Sequence, residues 1–410
     1  MSASWRITAG FLPLLDSAIL VAAHEKGFAA GEGIELSLVR ENSWASIRDR
    51  LAVGHFDVAH LLAPMPIAYN LGLSPLAAPT IAPMALGLGG NAVTVSLALW
   101  DGLRERVASP RFDPASTGAA LAGVIRDGLA RGERRLRFAV VHPHSGHNYE
   151  LCYWFAACGI DPEADVEIVV VPPPLMSDAL AAGRIDGYCV GEPWNTAAVA
   201  KGTGRIVTIK AAIWKSSPEK VLGVAASWAE TRPEALSALL RALYRASQWC
   251  GDAENAAEVA AILAGPAYVA CPAEWLMPAL SGRIGTGDGA IVPVPDFFVT
   301  HAKAATFPWK SHALWFYSQM ARWGQVEPSP VNEAIARDTY RPDLYRAALK
   351  SLGVALPGAN AKVEGALTGE TPVGSAGASL VLGPDGFFDG RVFDPDEVAS
   401  YIASSAIQNR

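Results

Sequence analysis

Apolar and polar positions in the first hundred residues alternate with two periods, one near two residues and one near four. Trp5 to Phe11 reads as a strand, and Ser17 to Lys26 as a helix with Ala18, Val21 and Ala22 on its apolar face and Gly27 as its stop. Ile34 to Val39 is a second strand, Ser43 to Val53 a second helix ended at Gly54, and Asp57 to Leu61 a third strand. Pro64 and Pro66 then open a helix of small residues. Strand–helix–strand rhythm of this kind predicts parallel pairing with right-handed crossovers.

Ala92 to Ser96 reads as a strand leaving this unit, and after a helical stretch from Gly118 to Leu129 the rhythm restarts. Strands are predicted at Leu136–Val141, Val166–Val171, Asp186–Val190 and Arg205–Ile209, with helices at His147–Cys158, Leu175–Ala182 and Pro193–Lys201 between them. Val221 to Ala226 returns the chain to the first unit, and helices follow at Pro233–Cys250 and Ala253–Leu263. This is the organisation of a periplasmic-binding-protein-like α/β fold: two α/β lobes, the second inserted in the first, with a ligand cleft between them. The expected division is 1–95 for the first part of lobe I, 96–217 for lobe II, 218–345 for a helical second part of lobe I, and 346–410 for a C-terminal extension. Two independent tandem domains are the alternative. Pro357 to Thr371 reads as loop, Phe387–Asp394 and Val398–Ile407 as ordered, and no repeat of solenoid period is present.

Composition narrows the function class. With 51% hydrophobic and 18% charged residues, the 410-residue chain can bury a large core. The net charge of −7 comes without a basic face, the nearest run being Arg131, Arg134, Arg135 and Arg137, which argues against direct nucleic-acid binding. It leaves an anionic ligand open, because a buried anion site depends on local donors. The odd number of cysteines, Cys152, Cys158, Cys189, Cys250 and Cys271, includes no CxxC pair and reads as buried apolar residues in a reducing compartment. No apolar run approaches the ~18 residues of a membrane span. The segment after Arg6 is ended by Asp16 and already reads as the first strand, so a secretory leader is not expected. A soluble, cytoplasmic protein follows, unless a leader has been removed.

No GxSxG, Walker-type GxxxxGK[ST] or HExxH motif is present. Gly87, Gly89 and Gly90 lack the spacing and strand–helix setting of a dinucleotide site. His142, His144 and His147 have H-x-H-x-x-H spacing, but they follow a strand and open a helix, so loop or ligand roles outweigh a metal site; neither metal nor cofactor is expected. The informative pattern lies at strand ends, where open α/β sheets bind ligands. Trp44 opens the helix after the second strand, Asn91 sits in a Gly-Gly-Asn turn, and His147 opens a helix. Val190, Gly191 and Glu192 follow a strand, and Lys220 lies at the return to the first lobe. Lys supplies a full charge, imidazole and amide side chains donate directional hydrogen bonds, and indole excludes water. Taken singly, each has an ordinary structural reading: Trp44 in packing, Asn91 in a turn, His147 as a helix cap and Lys220 on the surface. Their joint placement is what points to a small planar anion.

The segments GFLPLLDSAILVAAHEKGFAA, SWASIRDRLAVGHFDVAHLLAPMPIA, GGNAVTVS, GHNYELCYWF, VVPPPLMSDAL, DGYCVGEPWN, IWKSSPEKVLGV, FPWKSHALWFYSQMARWGQ and FFDGRVFDPDEVASYI run in order along the chain. They resemble the nitrate and bicarbonate receptor family of cyanobacterial ABC transporters (NrtA and CmpA), and within it the cytoplasmic NasS-like nitrate/nitrite sensors. The resemblance implies that Trp44 walls the anion site, that His147 and Lys220 bind the anion oxygens, and that the backbone at Val190 and Gly191 adds N–H donors. Where the nitrate receptors carry glutamine, this chain has Asn91, one methylene shorter. Lys215 is the alternative cation. A lysine facing the ligand favours a permanent anion, nitrate or nitrite, over bicarbonate.

Sensors of this kind hold an RNA-binding, NasT-like antiterminator and release it when ligand binds, so the resemblance implies that partner. It also implies control of nitrate assimilation genes by antitermination, without direct nucleic-acid or membrane contact. The competing readings are a transport receptor for nitrate or bicarbonate without its leader, and an enzyme on the same fold using Cys189.

Overall fold

The computed structural model describes residues 5–76, 78–108 and 111–405. The first strands are β1 (Trp5–Phe11), β2 (Ile34–Arg40), β3 (Val58–Leu62) and β4 (Thr80–Ala85). Helix α1 (Ala18–Glu25) follows β1 and stops before Gly27, which has a φ of 74°. Helix α2 (Trp44–Ala52) follows β2 and is capped by Ser43, whose hydroxyl accepts from the Ser46 amide at 3.2 Å. The chain then crosses through the two-residue strand β5 (Leu88–Gly89) into the second lobe.

There, β6 (Asn91–Ser96) is followed by helix α3 (Pro114–Ala130), β7 (Leu136–Val140), helix α4 (Gly146–Ala157), β8 (Val166–Val170), β9 (Gly187–Gly191), helix α5 (Trp194–Ala200) and β10 (Gly204–Ile209). A second crossing leads to β11 (Lys220–Ala225). The two five-stranded sheets have the orders β2-β1-β3-β11-β4 and β10-β6-β9-β7-β8. Pairing is parallel among β1, β2 and β3 and among β7, β8 and β9, whereas β11 and β6 run antiparallel to their neighbours. The fold is thus the expected bilobal α/β periplasmic-binding-protein fold.

Helix α6 (Pro233–Gly251) packs back on the first lobe, burying Leu236, Leu239, Leu240 and Leu243 along one face. Helix α7 (Lys310–Arg322) is buried almost all round and carries the C-terminal segment, which closes with α8 (Val398–Ser405). Of the ordered stretch expected at Val398–Ile407, residues 406–407 lie outside the described residues. Among the described residues no helix is long and apolar enough to cross a membrane.

The last segment braces the second crossing. Lys215 N donates to the Gly386 carbonyl at 3.2 Å and Phe388 N to the Ile213 carbonyl at 2.9 Å. Phe387 stacks on Trp214 with ring centroids 4.7 Å apart and planes 22° apart. Tyr153 of α4 donates to the Asp389 carboxylate at 2.8 Å, so the same segment also holds the second lobe.

Candidate anion-binding site

Antiparallel entry of β6 and β11 decides where the site forms. In β11 against β3, Lys220 pairs with Leu62, so the first residue of the returning strand lies at the carboxyl end of a parallel one. In β6 against β9, Asn91 pairs with Gly191 and Ala92 with Val190 in the same manner. Both crossings therefore deliver a polar residue to the strand ends where such folds bind ligands. The helices add Trp44, first residue of the Ser43-capped α2, and His147, second residue of α4. The α4 cap is Ser145, which accepts from the Asn148 amide at 3.0 Å and donates to the His142 carbonyl at 2.7 Å.

These residues meet in one buried region. Lys220 Nζ lies 2.7 Å from Asp16 Oδ2 and 2.9 Å from Glu219 Oε1, and 5.4 Å from the centre of the Trp44 ring. Asp16 reaches the other side of the region, since a Cβ on Gly191 would stand 3.1 Å from Asn91 Oδ1 and 3.4 Å from Asp16 Oδ2. Glycine here leaves the space between strand β9, Asn91 and the first lobe open. His147 Nδ1 stands 3.1 Å from Glu219 Oε1, close but not aligned as a hydrogen bond. Trp44, Asn91, His147, Val190 and Lys220 are each at most 1% exposed. The Val190 carbonyl is taken by the Asn195 amide at 2.8 Å.

A chain of charges surrounds them. Lys210 Nζ bonds Glu219, lies 3.0 Å from Glu150 Oε1 and donates to the Pro218 carbonyl at 2.9 Å. Burial alone would raise the Glu219 carboxyl, but His147, Lys210 and Lys220 outweigh it and hold the group down near 2. At Asp16 burial is likewise overcome, by Lys220 and His60, so this carboxylate stays ionised well below its usual range. Glu150 is pushed up to about 7 by burial, against the pull of Lys210. Desolvation takes His147 down to about 3 and lowers His60, so both imidazoles are neutral. The clasp across the lobes is completed by Leu15 N donating to the Glu192 carbonyl at 2.8 Å and Trp194 Nε1 to the Pro13 carbonyl at 3.2 Å.

Trp44 Nε1, both ends of the Asn91 amide and both ring nitrogens of His147 make no hydrogen bond within the protein, although all are buried. Leaving a buried donor unmet costs ~1–3 kcal/mol, so their gathering around one lysine marks a place for a ligand with several acceptor atoms.

The two candidate lysines separate clearly. Lys220 is buried among the site residues, whereas the Lys215 side chain is exposed. The three histidines have different partners: His142 and His144 lie ring to ring at 5.6 Å and His144 Nδ1 meets Tyr149 at 3.0 Å, while His147 faces Glu219. Cys189 is buried in β9 and desolvation pushes its thiol well above the usual range, away from the thiolate a nucleophile needs. Asp16, His60, Lys210, Glu150 and Glu219 were not among the residues singled out from sequence. Asp16 left a trace, a lone acid ending the apolar run GFLPLL, and His60 another, a polar residue inside the strand VAHLL.

Fold and site together define a bilobal solute-binding protein. The chain belongs to the NMT1-like family, whose profile matches residues 3–264. Over 405 residues it is 34% identical to the nitrate/nitrite binding protein NrtA of Synechococcus elongatus, covering 97% of this chain and 85% of that protein. It is 36% identical over 350 residues to the bicarbonate transport ATP-binding protein CmpC of the same organism, covering 84% of this chain and 49% of that one. The crystal structure of the periplasmic nitrate-binding protein NrtA from Synechocystis PCC 6803 superposes with a TM-score of 0.84 at 29% identity, covering 98% of both chains.

Proposed function

We propose that this protein binds nitrate or nitrite between its lobes. One observation carries the reading: the unpartnered donors of Asn91, Trp44 and His147 gathered around the buried ammonium of Lys220. A planar anion with two or three oxygens satisfies such donors, and the indole of Trp44 keeps water from competing for them. In this reading the backbone at Val190 and Gly191 of β9 borders the same region, Gly191 keeping a side chain out of the space beside Asn91 and Asp16. The names of the relatives support the same ligand class. Calorimetric titration with nitrate, nitrite and bicarbonate tests the reading. Binding of nitrate or nitrite that is lost in Lys220→Ala supports it, and binding of bicarbonate alone overturns it.

The finer reading is a cytoplasmic sensor that holds a NasT-like antiterminator and releases it on binding nitrate or nitrite. It is supported by the segment-level resemblance to NasS-like proteins. Lobe closure offers the physical route, because ligand shifts the population toward whichever lobe arrangement it binds better. A second reading, a transport receptor, is favoured by the likeness to NrtA along nearly the whole chain. Mixing the purified protein with a NasT-like partner separates the two. Co-elution that nitrate dissolves is the sensor's behaviour, and no association with or without nitrate is the receptor's.

A further inference from the structure

We infer that the anion enters this site together with one proton, taken up on His147, so that an imidazolium stands between the Glu219 carboxylate and the anion. The inference rests on the reading of this region as an anion site.

The first argument is geometric. A neutral imidazole has one N–H and one lone pair, while the imidazolium has two N–H groups. His147 Nδ1 is 3.1 Å from Glu219 Oε1, an oxygen of a carboxylate that its neighbours keep ionised. With the proton on Nδ1, the Nε2 lone pair is left to meet the anion. With the proton on Nε2, the Nδ1 lone pair meets Glu219. Either neutral tautomer sets a lone pair against a negative oxygen, and only the imidazolium presents an N–H toward both, the 3.1 Å approach to Glu219 being an ionic contact and not an aligned hydrogen bond.

The second argument is charge. Facing His147 are Lys220 at the start of β11, Glu219 just before it, Lys210 from the helix Lys210–Ile213 and Asp16 from the turn after β1. Glu150 lies one turn along its own helix, and the neutral Cys189 thiol of β9 senses the same lysines. The ion pairs among Asp16, Glu219, Lys210 and Lys220 cancel, two charges against two. Glu150 adds little negative charge below about 7. A monoanion sealed into this region brings one charge with no counterpart, which a buried site tolerates poorly. One proton restores neutrality. Nitrate has no proton of its own to give or take near neutral pH, so the protein must supply the change. His60 stands 3.1 Å from Asp16 Oδ1 with both ring nitrogens likewise outside any hydrogen bond, so substitution of His147 is what assigns the proton to one ring or the other.

Calorimetric titration with nitrate in buffers of different protonation enthalpy reads the proton number directly. Uptake of about one proton per nitrate is expected, with affinity falling about tenfold for each pH unit of rise between about pH 5 and 7. In His147→Gln, which keeps an amide donor and cannot be protonated, binding should be weaker, flat with pH and free of proton uptake; Glu150→Gln should retain the uptake. Nitrate binding without proton uptake, or uptake undiminished in His147→Gln, overturns the inference and leaves the anion reading standing. Absence of nitrate binding at every pH overturns both. Should His147→Gln fail to fold, imidazole ¹⁵N shifts of the wild-type protein decide, imidazolium supporting the inference and a neutral ring with nitrate bound overturning it.

Discussion

Lys220 is bound to Asp16 at 2.7 Å, in a region where the lysine has no exposed surface and the aspartate almost none. The cation assigned to the proposed anion is therefore already answered by a carboxylate of its own lobe. Removing it leaves Asp16 buried without a cation, while Glu219 keeps Lys210, and breaking a buried pair typically costs ~3–5 kcal/mol. Lys220→Met should lose stability on that scale in urea denaturation and lose nitrate binding in calorimetry. Adding Asp16→Asn should restore much of the stability and none of the binding. Restored binding would show that the lysine serves structure alone.

Gly191→Ala tests the floor of the site. The added methyl would stand 3.1 Å from Asn91 Oδ1 and 3.4 Å from Asp16 Oδ2. The fold should survive, while nitrate affinity falls about tenfold or more, a change of about 1.4 kcal/mol. Unchanged affinity would place the anion elsewhere.

Glu150 gives stability a pH dependence with a definite sign. In the unfolded chain it ionises near its ordinary 4.5, whereas burial in the fold delays ionisation to about 7. A carboxyl raised in this way contributes fully below the unfolded value, and the contribution is lost as pH rises through the folded one. Glu150→Gln should therefore gain on the wild type progressively from pH 4.5 to 7 in urea midpoints. Parallel curves for the two proteins would contradict the assignment.

The brace on the second crossing is tested by Phe387→Ala. Phe387 stacks on Trp214 and packs against Tyr153 at 5.5 Å. Truncating a buried phenylalanine costs ~3–5 kcal/mol. Because Trp214 sits between Lys210 and Glu219, nitrate affinity should fall together with the denaturation midpoint, whereas a midpoint loss at constant affinity would confine the brace to stability.

Much of the fold could be read from the chain. β1 spans Trp5–Phe11 as expected and β2 runs one residue past the expected Val39, while Ser43 caps its helix and the cap of α4 is Ser145 in place of the His147 that the sequence suggested. Strand β4 escaped notice because TIAPMA is buried at every position and contains a proline, so it has neither alternation nor a strand-like composition. Helix α7 is buried on nearly all sides and so shows little of an amphipathic stripe. At the site, Trp44, Asn91, His147 and Lys220 could be picked out because each stands at an element boundary. Asp16 could not, because carboxylates are not sought around an anion, nor could His60, which lies inside a strand, and only the long-range pairing of β11 with β3 brings Lys220 to them. Lys210 and Glu219 pair across nine positions that begin in the short helix Lys210–Ile213 and end outside it, a spacing that no periodic rule predicts.

The brace also has a place in the order of synthesis. Ser216, four residues before Lys220, donates to the Pro384 carbonyl across 168 positions of chain. During synthesis both lobes leave the ribosome long before that partner does, and lobes fold as they emerge. A nascent chain thus has its sheets before its second crossing is braced. If the brace positions the proposed site, products truncated before Pro384 should fold their sheets yet bind nitrate more weakly than the whole chain.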